Sequence, residues 1–271
     1  LLPTKELLKI FFTFYKFMAL AYASGPPIER LYLSNANDIT QNGKPYRIRL
    51  LFSATYRNPK YVTGRNEVDF LFGYKNVNNS FEKIISTWFK LYHEISPCIN
   101  ILNDFLLKKK FSADVKILQI TKALESFHRE KRTLSPSAND LKKQKKYSQL
   151  LSAAPAFKTW LADMFRYSFE PKVKRRLIAL FLELPRPVLQ DLNLDTPSKR
   201  KYLAEKAKVT RNYYSHFGTD LAKLKMDGIV LIRAIEKLKV CLICLLSKKL
   251  GFSDEQIVNM VRSATLYPFS T

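Results

Sequence analysis

The stretch KRKYLAEKAKVTRNYYSHF, residues 199–217, reads as one basic helix. It ends in Arg211-Asn212-Tyr213-Tyr214-Ser215-His216, which sets a permanently charged guanidinium five positions before a titratable imidazole. An arginine holds a phosphate through its planar fork of donors. A histidine moves protons near neutral pH. The chain has only three histidines in 271 residues, so an imidazole at the end of a basic helix carries information. The spacing alone is short and also common at ordinary helix ends, so its weight comes from the sequence around it.

Downstream, residues 221–250 form the longest run of apolar periodicity, and Gly251 suits the glycine that closes a helix. Ser253 and Gln256 then have the spacing of a capping box for a last short helix. Upstream, the pattern is helical from Ser80 almost without interruption. Phe81, Ile84, Ile85, Trp88, Phe89 and Tyr92 form one stripe, which Pro97 breaks before a further helix over 99–107. Helices are predicted over 113–131, 141–151, 156–167 and 171–184, with Pro171 suited to a first turn. Pro185, Pro187 and Pro197 predict a loop, and the lysine-rich residues 135–146 a mobile one.

Before Ser80 the pattern changes. Residues 4–22 read as a helix that stops at Ser24-Gly25-Pro26-Pro27. Residues 46–55 alternate as a strand, Asn42-Gly43 signals a hairpin before it, and 68–74 reads as a second short strand. The expectation is therefore a mainly α chain in two parts. Residues 1–79 supply a helix and a short β element, a small N-terminal α/β element that reads as the tail of an upstream β-rich domain. Residues 80–271 supply an α-helical domain. The chain opens in mid-pattern at Leu1-Leu2-Pro3-Thr4 without a methionine, which suggests a fragment whose natural start lies upstream.

Composition narrows the function. Apolar residues make up 46% and charged residues 25%, which is a globular balance and excludes a disordered tail. Seven glycines are too few for a turn-rich all-β fold, and neither a dinucleotide-binding nor a P-loop glycine motif occurs. A net charge of +23 points to a polyanionic partner, because phosphates attract Lys and Arg through counterion release. Nucleic acid leads, an acidic membrane surface comes second and a basic surface kept for solubility third. Three cysteines build no disulfide framework and suit a reducing cytoplasm. No uncharged apolar run is long enough to span a bilayer, and with nucleic acid ranked first no membrane partner is expected.

On an ideal helix, five positions separate two side chains by about 140° beyond a full turn. Arg211 and His216 converge only if the helix ends or bends near Tyr214, or if a second subunit supplies the facing half of the site. Gly218 favours a helix end. The chemistry that fits is transesterification within RNA. His216 serves as general base or acid and Arg211 stabilises charge on the phosphoryl oxygens, with no metal and no cofactor required. Asn212 donates to a phosphate oxygen or orients His216. Tyr213 and Tyr214 stack on unpaired bases, although packing between helices is an equal reading for one of them. Lys206 and Lys208 would track the RNA backbone. Cys241 and Cys244, a lone C-x-x-C inside an apolar helix, read as buried small hydrophobes, and three cysteines with three scattered histidines give no spaced zinc set.

The residues 211–216 resemble the R-x4-6-H motif of the HEPN superfamily, with a polar residue directly after the arginine. Ala123-Leu124-Glu125-Ser126-Phe127-His128-Arg129, residues 155–160, Arg176-Leu177 and Leu250-Gly251-Phe252 follow the order found in ApeA-like HEPN proteins. These are bacterial anti-phage abortive-infection proteins, and the similarity covers residues 80–265. The resemblance implies a HEPN-type helical bundle over 80–271, a homodimer, and a metal-independent endoribonuclease. It implies a cytoplasmic toxin that hydrolyses tRNA or other cellular RNA, leaving 2′,3′-cyclic phosphate and 5′-hydroxyl ends, under a phage-derived trigger. Carried over by position, Arg211 and His216 take the catalytic roles and Asn212 the supporting one. Glu125 would pair with Arg211, and Arg129 would join the RNA-binding set. His128 either shares that cleft or occupies an exposed or satisfied position. The alternative is a catalytically silent HEPN module that binds RNA or a partner protein.

Overall fold

The structure, a computed structural model, describes residues 3–26, 28, 30–39, 42, 45–50, 70–107, 110–131, 138–165 and 171–264. It is mainly α-helical. The chain divides into two compact units, residues 1–111 with 246–271 and residues 112–245.

In the first unit, α1 (Thr4–Ala21) leads into a hairpin of β1 (Leu31–Ile39) and β2 (Pro45–Leu50). The strands are antiparallel, with Leu31 opposite Leu50, Ser34 opposite Arg47 and a register shift between Ser34 and Ile39. β2 begins where the alternation predicts a strand; residues 51–55 of that expectation lie outside the described residues. The second strand expected over 68–74 is corrected within its described part. Phe70 to Gly73 are irregular and α2 (Tyr74–Val77) starts at Tyr74. Leu71 and Phe72 are both buried instead of alternating, and both backbone N–H groups reach back to the Ala21 carbonyl.

α3 (Phe81–Leu106) runs through Pro97 as one element kinked at Ile95, where φ is −128°. A proline removes one hydrogen bond and crowds the preceding turn, so it bends the helix here without ending it. The stripe read from sequence faces α1. Trp88 donates its indole N–H to the Thr13 carbonyl at 2.8 Å and its ring meets Phe17 at 5.6 Å. α3 therefore stays with the N-terminal residues, and the limits of the compact units do not coincide with the division expected at residues 79/80.

The second unit opens with α4 (Ala113–Lys131), whose bounds match the periodicity. α5 (Ala138–Ala153) corrects the mobile loop expected there. Residues 138–146 are helical, because lysine, leucine and glutamine are good helix formers, and Asp140 is tied to Arg175. Residues 135–137 lie outside the described residues. A 3₁₀ turn at Pro155–Phe157 leads into α6 (Lys158–Phe165), and α7 (Val173–Phe181) follows. The proline-rich loop is corrected too: α8 (Arg186–Asp191) occupies it, with Pro187 in the first turn, where a missing N–H costs no helical bond.

α9 (Pro197–His216) opens with Pro197 in its first turn and Thr196 as its cap. α10 (Thr219–Ala222) and α11 (Gly228–Lys249) replace the single run expected over 221–250. Lys223-Leu224 makes a turn after α10, where the Leu224 and Lys225 N–H groups bond to the Leu221 carbonyl, and Gly228 opens α11 at φ +49°. After α11, Gly251 sits at φ +95°, Phe252 N–H bonds to the Ser247 carbonyl and Gly251 N–H to Lys248, the glycine-closed helix end predicted from sequence. α12 (Asp254–Ser263) carries the capping box of Ser253 and Gln256.

The second unit is built on three helices that pack pairwise, α4 against α7, α4 against α9 and α7 against α9. α9 turns Leu203, Ala204, Ala207 and Thr210 inward, and the two alanines let neighbouring backbones come close. α4 contributes Ile117, Ile120, Ala123, Leu124 and Phe127, and α7 adds Leu177, Leu180 and Phe181.

Candidate active site

α4 and α9 bring two candidate side chains together. Arg211, in the last turns of α9, points its Nη2 at the Glu125 carboxylate of α4 across 3.6 Å. Its Nη1 donates to Asn212 Oδ1 at 3.1 Å. The Arg211 side chain is 32% exposed and that of Glu125 18%, so the pair sits at the surface of the bundle, mostly covered but open to water. Glu125 and Arg129 lie one helical turn apart on α4 and share a face; Arg129 is exposed. Of the alternatives for His128, the exposed position and the shared cleft are corrected, because it is fully buried among the core residues of α4. It does not share the surface that Arg129 occupies.

The backbone behind Arg211 is clamped. Thr210 is fully buried, and its Oγ1 accepts the Met226 N–H at 2.8 Å. This fixes the turn ahead of α11 against the residue that precedes Arg211. Lys206, one turn earlier on α9, donates to the Leu224 carbonyl of the same segment at 3.0 Å. Lys225 lies over the rings of Tyr213 and Tyr214, 5.5 and 5.9 Å from their centroids, and reaches Asp227 at 3.4 Å. Desolvation works to lower the pKa of Lys225, but the Asp227 hydrogen bond and the two tyrosine hydroxyls outweigh it and hold the ammonium above its ordinary value. Tyr213 and Tyr214 meet edge to face at 5.1 Å and are half-buried.

His216 occupies the last position of α9 and is exposed. The helix does not bend at Tyr214, as convergence within one copy requires; it continues through His216 and closes at Phe217, whose N–H bonds to the Tyr213 carbonyl at 2.6 Å. Phe217, and not Gly218, takes the left-handed conformation, at φ +49° and ψ +36°. For a residue with a Cβ that geometry costs roughly 1–2 kcal/mol. Arg211 and His216 thus keep their separation around the helix, and no hydrogen bond joins them.

Of the two lysines read as RNA-tracking, Lys206 faces a neutral carbonyl and the Tyr202 ring among the described residues. Lys208 is engaged: its ammonium bonds to Glu205 at 2.7 Å, and Glu205 also meets Lys174 of α7 at 2.9 Å. Lys208 first and Lys174 second hold the Glu205 carboxyl below its ordinary value. Cys241 and Cys244 are buried inside α11. Burial pushes the Cys244 thiol up to about 12 and the Cys241 thiol well above its ordinary value, so both remain protonated. Among the described residues, no three His, Cys, Asp or Glu side chains cluster to hold a metal ion, and no helix is long and apolar enough to cross a membrane.

Thr210 and Lys225 do not stand out in the sequence. Thr210 is marked only as a polar residue on the inward face shared with Leu203 and Ala207. Nothing in the order of residues announces that Lys225 returns over the two tyrosine rings.

No curated protein matches the chain, and no solved structure does. Residues 118–256, a span that holds Glu125, Arg211, Asn212 and His216, match the family model of the Apea-like HEPN domain. The match covers just over half of the chain and runs from within α4 to the start of α12, across the helices that carry the candidate site; the protein belongs to the Apea-like HEPN family.

Proposed function

We propose that this protein is an endoribonuclease that cuts tRNA or other cellular RNA in abortive-infection defence against phage. One observation carries the reading. A guanidinium at the bundle surface is aimed by Glu125 and Asn212, on the basic helix whose last residue is an exposed histidine.

In the proposed reaction the 2′-oxygen attacks the adjacent phosphorus and the 5′-oxygen leaves. The products are a 2′,3′-cyclic phosphate and a 5′-hydroxyl. His216 takes the 2′-hydroxyl proton or returns a proton to the leaving oxygen, and Arg211 neutralises the charge that grows on the phosphoryl oxygens. Arg211 and His216 need no metal for these roles. An unpaired loop is the preferred substrate, since the 2′-oxygen must swing in line with the leaving oxygen. The separation of Arg211 and His216 around α9 favours a site completed by a second copy of the chain. Exposed Leu224, Ile229, Val230 and Ile232, close in sequence to the site, give a homodimer apolar surface to bury. Family membership supports the defence role, with a cytoplasmic toxin released by a phage-derived trigger.

The test is incubation of purified protein with total tRNA in EDTA, beside His216→Ala and Arg211→Ala, followed by analysis of product ends. Wild type yields cyclic phosphate ends. His216→Ala slows cleavage about 100-fold or more and keeps its RNA affinity. Arg211→Ala lowers both. A His216→Ala protein that cut like wild type would refute the assignment.

A second reading, a silent module that binds RNA or a protein partner, draws on a specific observation as well. The Arg211 fork already has Glu125 and Asn212 as partners. Under that reading none of the three proteins cuts, and RNA binding survives both substitutions.

A further inference from the structure

Phe217 closes α9 with a backbone that does not suit it. Among the described residues, three non-glycine residues have positive φ: Ala23, Asn193 and Phe217. Asparagine visits that region readily through its short polar side chain, and alanine is small. Phenylalanine has neither property. Gly218, which would adopt the conformation freely, stands one residue later at φ −67°.

The strain leaves an aromatic ring in water. Phe217 is 70% exposed and touches Tyr213 edge-on at 5.9 Å. Side chains within a helix lean back over the preceding turn, whereas a left-handed terminal residue leaves that path. Tyr213 and Tyr214 already carry the Lys225 ammonium over their rings. The ring with its face open at this end of α9 is therefore Phe217, directly after His216.

We infer that Phe217 is the stacking platform for the unpaired base beside the phosphate on which Arg211 and His216 act; this rests on the ribonuclease reading above. Every base has a π face, so one exposed ring holds it whatever its identity. Stacking a splayed base also favours the in-line geometry that the 2′-oxygen needs. The basic helix beneath the ring favours RNA over an uncharged protein surface.

The test uses the full chain carrying His216→Ala, so that RNA is bound and not cut. The probe is a stem-loop RNA in which 2-aminopurine replaces each loop base in turn. Fluorescence is quenched at one loop position. Phe217→Leu abolishes that quenching and weakens binding about 5- to 150-fold. Phe217→Tyr keeps both. Phe217→Gly loses the quenching yet melts at or above the parent temperature, because glycine adopts the left-handed conformation without strain.

Quenching that persists in Phe217→Leu overturns the inference. So does a shift from dimer to monomer in sedimentation with RNA affinity unchanged, which assigns the ring to contact between copies. RNA cleavage by the chain with His216 intact separates the two readings. Quenching without cleavage sinks the ribonuclease and keeps the platform; cleavage without quenching does the reverse; no RNA binding at all overturns both.

Discussion

Glu125 and Asn212 hold Arg211 from two sides, and the two contacts do different things. Asn212 is the neighbour on the same helix and restricts how the guanidinium rotates. Glu125 reaches from α4 and supplies a counter-charge that, in the proposed reaction, a phosphate would have to displace. At 3.6 Å and open to water, the ion pair adds about 0.2–1 kcal/mol to stability at most, and its length argues for the lower end. Its effect is therefore expected on function. Glu125→Gln keeps the shape and removes the competitor. RNA binding tightens, and single-turnover cleavage slows because the guanidinium loses its aim, so KM and kcat fall together while Tm stays within a degree or two. An unchanged kcat would remove Glu125 from the site. The sequence placed Glu125 and Arg211 on predicted helices 86 positions apart; only their shared family pattern suggested a pair, since periodicity says which face a residue occupies and not which helix lies opposite.

At the scale of elements, the end of α9 is a built structure held by Thr210. Its buried hydroxyl is the acceptor for Met226 N–H, so the turn ahead of α11 and the last turns of α9 move as one piece. Thr210→Val preserves shape and orphans that N–H, at a cost of about 1–3 kcal/mol. Thr210→Ser keeps the acceptor and loses a methyl, about 1 kcal/mol. Chemical denaturation should rank the serine variant above the valine variant, and the reverse order would show that the methyl matters and the hydrogen bond does not. Elements with local signatures were legible. The bounds of α4, the Gly251 closure and the Ser253–Gln256 capping box follow from residues a few positions apart. β1 was missed because LYLSNANDI is rich in asparagine and lacks alternation, so its pairing with β2 defines it. α8 was missed because prolines mark both loops and first turns. The run over 221–250 hid a turn because Leu224 and Ile229 keep the apolar rhythm while both stand exposed.

Over the whole molecule, charge was plain in the sequence and its disposition was not. Lys and Arg outnumber Asp and Glu 46 to 23, yet the count does not say which ammonium groups are available to a phosphate. The division into units was hidden for a similar reason: the aromatic stripe of α3 pairs with α1 through Phe17 and Trp88, a long-range match that local composition does not encode. The lysines of α9 convert this into a measurement. Lys206 donates to a neutral carbonyl, so under the proposed function its charge would meet RNA without a carboxylate to release. Lys208 is matched by Glu205, which it would have to release to meet a phosphate. Each phosphate neutralised on single-stranded RNA contributes about −0.7 to the slope of log affinity against log salt. Titrations from 50 to 200 mM salt should therefore show a steep fall for wild type, a slope shallower by about 0.7 for Lys206→Ala, and less than half that change for Lys208→Ala. Equal changes would mean that Glu205 gives up Lys208 on binding. A flat wild-type slope would mean that the +23 charge serves something other than RNA, and with it the assignment of the Arg211–His216 end of α9 to phosphate would fall.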